Sequence, residues 1–297
     1  MTCSNNSKTI KAILTRPGYR KYLKDKLLVR LGRVAPDHRF ARLRLSDQAE
    51  PFAVVREVDH AHTTGQTPRI IKIRDLLFER SPYENFEYEH HPEDLQGWGS
   101  DDPVVVDAIR LVRPQRVCEV GSWKGRSAIQ MARVIKSLQL NTEIVCVDTW
   151  LGSPEHWLQK SSQFYYSLRI RNGMPTLYFT FLANVVRAGL EDVITPFPMT
   201  SENAAEIFNK MGIKFDIVYV DAAHEYSPAK RDLSAYYELL AEDGIVVVDD
   251  YAIWDGVTRA VDELAAERQL RVLGVKGKAI IPKGKKYASI SFGRQSG

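Results

Sequence analysis

From Asp101 onward the chain alternates short β-branched runs with amphipathic segments, and few folds tolerate that pattern. The runs are RVCEVG at 116–121, EIVCVD at 143–148, FDIVYVD at 215–221 and GIVVVDD at 244–250, with a shorter one near 192–196. Each is apolar almost throughout, as expected of strands in a parallel sheet covered on both faces. Helical patterns fill the intervals, at about 103–112, 125–138, 176–189, 201–211, 228–241 and 255–267, and Pro103 suits a first helical turn. Further strands are expected near 270–275, 278–283 and 287–292. They follow one another with no helix between, so at least one joins antiparallel. The expected class is α/β, a doubly wound and mostly parallel sheet.

The first third reads differently. Residues 1–96 form a basic, partly helical extension and loop, with Leu23, Leu27, Leu28 and Leu31 at helical spacing over 17–32. Residues 97–297 form the α/β domain, with an insertion at about 150–175. Residues 1–50 hold 12 Lys and Arg against 4 Asp and Glu, which leaves 29 against 33 in the remainder and a net charge of +4. A basic arm can meet nucleic acid or anionic surfaces. With only Tyr19, Tyr22 and Phe40 to stack on bases, nucleic acid is disfavoured and a solvated helical face is preferred. There is no run of eighteen apolar residues to span a membrane. The opening residues lack the apolar core of a secretory signal, so a cytoplasmic protein is expected. Cys3, Cys118 and Cys146 have no disulfide or zinc spacing, and the last two fall inside strands.

The strand ends carry the chemistry, because open α/β sheets bind ligands at their carboxyl edge. The first strand ends in Glu119-Val-Gly121-Ser122-Trp123-Lys124-Gly125-Arg126-Ser127. Its glycines permit a tight turn, but the spacing is not the dinucleotide G-x-G-x-x-G, and an acid before the first glycine suits a cationic ligand better than a pyrophosphate. The second strand ends in Asp148-Thr149-Trp150, where an acid commonly meets ribose hydroxyls. Asp221 is followed by His224, and Asp249-Asp250 close the next strand. These three carboxylates form a candidate divalent-metal site, with His224 as base. Adjacent strand residues face opposite ways, so Asp249 and Asp250 converge only if the strand has begun to turn. Otherwise one of them caps a helix or pairs with Lys230 or Arg231.

Glu119-Val-Gly-Ser-x-x-Gly125 followed by VDTW resembles the first two motifs of class I S-adenosylmethionine-dependent methyltransferases. The resemblance implies a seven-stranded Rossmann-like methyltransferase sheet. By that resemblance Glu119, Gly121 and Ser122 line the methionine end of the cofactor, Asp148 holds the ribose and Thr200-Ser201 lie near the adenine, with Gly125, Ser127, Thr149, Trp150 and Asp221 as further cofactor-binding residues. Trp123 departs from the pattern, standing where many members have glycine. Asp221-Ala-Ala-His224 with Asp249-Asp250 is similar to the metal-dependent macrocin- and mycinamicin-type sugar O-methyltransferases and to cephalosporin hydroxylase/methyltransferase relatives. By that resemblance Asp221, Asp249 and Asp250 bind Mg²⁺, and Asp221 and His224 are catalytic. The chemistry agrees: an alcohol is about as weak an acid as water, near pKa 15.7, and a bound metal brings such values toward neutrality. A five-unit drop is worth roughly 7 kcal/mol, against about 3–5 kcal/mol from a lone general base.

The insertion supplies His156, Trp157 and Tyr165 as a candidate wall for a sugar or flat ring, and Trp98 and Tyr251 are further substrate candidates; a dimer contact explains the insertion's aromatics equally well. The expected activity is Mg²⁺-dependent methyl transfer from S-adenosylmethionine to a hydroxyl of a sugar or glycosylated small molecule, by a chain that forms a homo-oligomer. Catechol-type or other natural-product O-methylation, methylation of RNA or a lipid-linked glycan, and a non-catalytic cofactor-binding subunit are the alternatives.

Overall fold

The computed structural model describes residues 72–97, 103–158 and 163–288. The expected 17–32 helix and Trp98 lie outside them. In chain order the elements are α1 Ile73–Leu77, α2 Pro103–Val112, β1 Arg116–Val120, α3 Arg126–Ser137, β2 Glu143–Asp148, α4 Pro154–Leu158, α5 Gln163–Ser167, β3 Ile170–Arg171, β4 Met174–Pro175, α6 Thr176–Arg187, β5 Ile194–Pro198, α7 Ser201–Lys210, β6 Phe215–Val220, α8 Tyr226–Glu238, β7 Leu240–Val248, α9 Asp255–Arg268, β8 Leu273–Val275 and β9 Lys278–Pro282.

Seven strands make one sheet in the order β5-β2-β1-β6-β7-β9-β8. The first five run parallel, and β9 is antiparallel to both its neighbours. The doubly wound, mostly parallel seven-stranded sheet read from the sequence is therefore present. The third C-terminal strand, expected near 287–292, does not begin at 287–288, which lie in a turn; the rest of it falls outside the described residues. Strand order reverses between β1 and β6, and such a switch point opens a crevice at the carboxyl edge.

Alternation along the strands feeds two cores. Val117, Cys146, Tyr219, Val247 and Ile280 pack with residues of α2, α3 and α6. Cys118, Val120, Val218, Val220 and Val248 pack with residues of α7, α8 and α9. The free cysteines Cys118 and Cys146 are both buried, as the sequence suggested. Ile73, Arg74 and Tyr83 lie along the β2–β5 edge. The Glu143 carboxylate accepts from the backbone of Ile73 (2.6 Å) and Arg74 (3.0 Å), while Arg74 and the Tyr83 hydroxyl donate to the Ile194 carbonyl of edge strand β5 at 3.1 Å each. Those donors satisfy an edge that would otherwise pair with another strand.

Three strand ends meet at one level. The Asp221 N–H donates to Val120 (2.8 Å), and the Asp249 N–H to Val220 (2.9 Å). Gly121 makes this approach possible: with φ of +85°, a Cβ there would stand 2.0 Å from the Asp221 carbonyl oxygen. Gly173, by contrast, turns the β3–β4 hairpin with φ of +79° and nothing within 4 Å of a notional Cβ. Gly121→Ala is expected to destabilise the fold by about 3 kcal/mol or more, through backbone strain and overpacking. Gly173→Ala carries only the conformational cost, about 1–2 kcal/mol. Urea denaturation of the two variants checks the contrast.

Candidate active site

The β1–α3 turn is held from behind by two carboxylates. Glu119 is fully buried and accepts from the Ser122 and Ser127 hydroxyls, both at 2.5 Å, and from Cys146 Sγ at 3.4 Å. Burial pushes its pKa up, against those hydrogen bonds. Period-two alternation explains its position: Glu119 shares a face with Val117, in register with Cys146 and Tyr219. It shapes the turn from inside. Asp148, half-buried at the edge of β2, takes the Ser122 and Trp123 N–H groups (2.9 Å each) and the Trp150 N–H (2.7 Å). Burial raises its pKa, and the three N–H bonds oppose the rise.

Several residues expected at the cofactor have partners within the protein. Trp150 adopts φ of +54°, which turns its ring into the core against Tyr178 and Phe181, with centroids 4.9 Å away. Its indole donates to the Trp123 carbonyl at 2.9 Å, so it supports the turn from beneath. Gly125 is required by the protein itself, since a Cβ there would meet the Phe181 ring at 2.9 Å. The Ser201 hydroxyl donates to Asp232 (2.5 Å), and Thr200 caps α7 by accepting from Asn203 (3.3 Å). Thr149 accepts from Leu151 at 3.2 Å.

Asp221, His224, Asp249 and Asp250 line one small cleft. Asp221 is held well above the usual carboxylate range by burial first, and then by Asp249 and Asp250. Asp250 has φ of +61°, so the chain has turned out of the strand and both adjacent acids line the same cleft. Asp250 Oδ2 lies 3.0 Å from His224 Nε2, and that hydrogen bond is the main cause of the raised His224 pKa. The Trp254 indole lies flat on the imidazole, 4.7 Å between centroids at 3°. Asp249 instead meets Lys278 Nζ at 2.6 Å and the Tyr219 hydroxyl at 2.5 Å. Lys230 and Arg231, the cations suggested by the sequence, pair elsewhere, with Glu263 and Glu267 and with Glu202.

Among the described residues no three His, Cys, Asp or Glu side chains form a ready metal-ligand group. The donor chemistry of the cleft nevertheless fits a hard divalent cation. Three carboxylates face one internal lysine, and the like charges of Asp249 and Asp250 add to burial in raising Asp221. Among the described residues neither Asp221 nor Asp250 forms an ion pair with a lysine or arginine, whereas Asp249 pairs with Lys278.

The substrate candidates are dispersed. His156 stacks on Phe164 (4.9 Å) and meets the Trp123 ring at a tilt (5.2 Å, 48°), forming an aromatic cap on the glycine turn. Trp157 donates to the Leu151 carbonyl at 2.6 Å and meets Tyr165 edge-on at 6.3 Å. Tyr251 points away from the acids: its hydroxyl donates to Asp262 at 3.0 Å and its ring would be met by a Cβ on Gly274. Lys124, in the middle of the turn, is buried and ties Asp94 (2.5 Å) and Gln96 (2.8 Å) to it. Sequence reasoning also missed Tyr219, Trp254, Gly256 and Lys278. Gly256 carries a readable cause, because a Cβ there would stand 2.3 Å from the His224 carbonyl oxygen.

Residues 118–251 match the family model of a methyltransferase domain. The match runs from β1 to just past β7, less than half of the chain's length. A curated relative, the uncharacterized protein y4gI of Sinorhizobium fredii, is 24% identical over 182 residues; the match spans 60% of this chain and 18% of that protein. Among solved structures the domain aligns with the O-methyltransferase TomG of Streptomyces achromogenes, involved in tomaymycin synthesis, at 17% identity and a TM-score of 0.46, covering 71% of this chain and 94% of that one. The O-methyltransferase NovP aligns at 18% identity and 0.46, covering 61% and 77%. Likeness at that level does not extend to substrate or metal.

An acid whose folded pKa is raised binds its proton more tightly folded than unfolded, so stability falls as pH climbs above the unfolded value of about 3.9. Asp221→Asn should therefore raise Tm by about 2–4 °C, ~1 kcal/mol, at pH 7.5 in EDTA. The gain should shrink as the pH is lowered and wild-type Asp221 takes up its proton. Scanning calorimetry across pH tests this.

Proposed function

We propose that the domain is an S-adenosylmethionine-dependent O-methyltransferase that uses Mg²⁺ and acts on a hydroxyl of a sugar or glycosylated small molecule. The observation that carries the reading is the His224–Asp250 pair beside Asp221, at the same sheet edge as Asp148. Asp148 on β2 and Asp221 after β6 flank β1, so about two strand spacings, ~10 Å, separate their backbones. That gap suits a methyl donor lying over the β1 turn.

A carboxylate offers about four acceptor positions. Those of Asp148 hold the turn, and the ribose would lie at this carboxylate on the carboxyl edge, with the backbone of Gly121 and Ser122 alongside. Thr200 and Ser201, at the start of α7 beyond β5, bound the adenine side. Asp221 and Asp250, with Asp249 adjoining, would hold the cation, which when bound lowers the pKa of a coordinated hydroxyl. His224 takes the proton. With Nε2 facing Asp250, the neutral ring accepts at Nδ1, and Asp250 stabilises the imidazolium that results. Trp254 fixes the ring plane. The aromatic cap of Trp123, His156 and Phe164 excludes water from the donor side, with Trp157 and Tyr165 as the acceptor wall. A soluble small-molecule acceptor agrees with the described residues, none of whose helices is long and apolar enough to cross a membrane; a cytoplasmic location and a homo-oligomeric assembly belong to the same reading.

The test is transfer of labelled methyl groups to glycosides, sugar nucleotides, catechols and RNA, with EDTA and with added Mg²⁺. Transfer to glycosides that stops in EDTA and returns with Mg²⁺ is expected. Transfer confined to catechols would move the acceptor class, and cofactor binding without any turnover would indicate a non-catalytic subunit. His224→Gln should lower kcat by about 10²–10⁴-fold with cofactor affinity retained. In the wild type, kcat/KM should rise with pH as His224 loses its proton, and the variant should lose that limb.

A further inference from the structure

Lys278 is an ammonium with 2% of its side chain exposed, set inside a cluster of acids. It arrives there through the antiparallel pairing of β9 with β7: Ala279 stands opposite Val248, which brings Lys278 level with Asp249. Tyr219, two residues before Asp221 on the same face of β6, closes the group, its oxygen 3.4 Å from Lys278 Nζ. Asp249 Oδ1 accepts from Lys278 Nζ (2.6 Å) and from the Asp250 N–H (2.9 Å), and Oδ2 accepts from the Tyr219 hydroxyl (2.5 Å). Three of its roughly four acceptor positions are filled. Releasing it would leave a buried ammonium unpaired, which proteins avoid.

We infer that Lys278 and Tyr219 hold Asp249 as an outer support, so that a divalent cation in this cleft takes its direct protein ligands from Asp221 and Asp250. This rests on the Mg²⁺ reading above. Lys278 is then a positioning residue with two effects: it withholds one carboxylate from the ion, and it places a positive charge beside it. Both keep the cation loosely held and rich in water, leaving coordination positions open to the two oxygens of an acceptor diol.

Manganese serves as the probe, with its affinity for the full-length protein followed by electron paramagnetic resonance and its position fixed by anomalous diffraction. In the wild type the ion should sit on Asp221 and Asp250 with the Asp249–Lys278 contact intact. Lys278→Met should bind at least tenfold tighter, with Asp249 now a direct ligand. The Lys278→Met/Asp249→Asn double variant leaves no buried charge orphaned and so guards against simple misfolding. It should bind at least tenfold more weakly than Lys278→Met, with the ion in its wild-type place. An Asp249 oxygen at a metal-bond distance in the wild type, or unchanged affinity in Lys278→Met beside clear wild-type binding, would overturn the inference and leave the metal reading intact. No binding by any variant at millimolar manganese would remove both. Binding by Lys278→Met alone would overturn both, since Asp221 and Asp250 would then not suffice to hold a cation in the wild type.

Discussion

Parallel strands β1, β6 and β7 stop at one level, and almost everything at the site follows from that. The levelling is a matter of backbone hydrogen bonds, Asp221 to Val120 and Asp249 to Val220. It requires a residue without a side chain at 121, where any Cβ would collide with the next strand's carbonyl. Once the ends are level, acids that are distant in sequence must share one cleft. Alternation then decides which neighbours they have. Tyr219, Asp221, Asp249 and Lys278 all stand on the face that carries Glu119.

Collecting like charges at a half-buried edge works against stability, and the protein tolerates it by giving each acid a different compensation. Glu119 is absorbed by two hydroxyls and Asp148 by three backbone N–H groups, so neither needs a cation. Asp249 has Lys278, and Asp250 has His224. Asp221 is left with burial and two like-charged neighbours, the circumstance that most raises a carboxylate pKa. An uncompensated charge of that kind is a stability cost accepted where function requires it.

The order and type of the domain's elements were readable because apolar runs of five or six residues, separated by helical patterns, have few other solutions. Boundaries moved where a signal was tertiary. β7 begins at Leu240, four residues before the expected strand, because Leu240 pairs with Phe215 across a register shift. The β3–β4 hairpin in the insertion had a local signature, Asn172-Gly173 with φ of 52° and 79°, the usual residues of a tight primed turn. That signal was available and unused. Trp150 looked like a pocket residue because it follows Asp148; a single left-handed backbone conformation sent it into the core instead.

The sequence by itself determined the strand-end carboxylates, the glycine turn and the histidine three residues after Asp221, since each depends on spacing within one segment. It also sufficed for the methyltransferase resemblance, which rests on those same segments. Only the tertiary structure decided which carboxylate faces what. Lys278 reaches Asp249 through a strand that returns antiparallel thirty residues later, and Trp254 reaches His224 because Gly256 lets α9 close on the loop. Such partners are set by register between distant strands and by the close approach of backbones, and neither leaves a periodic trace in the chain.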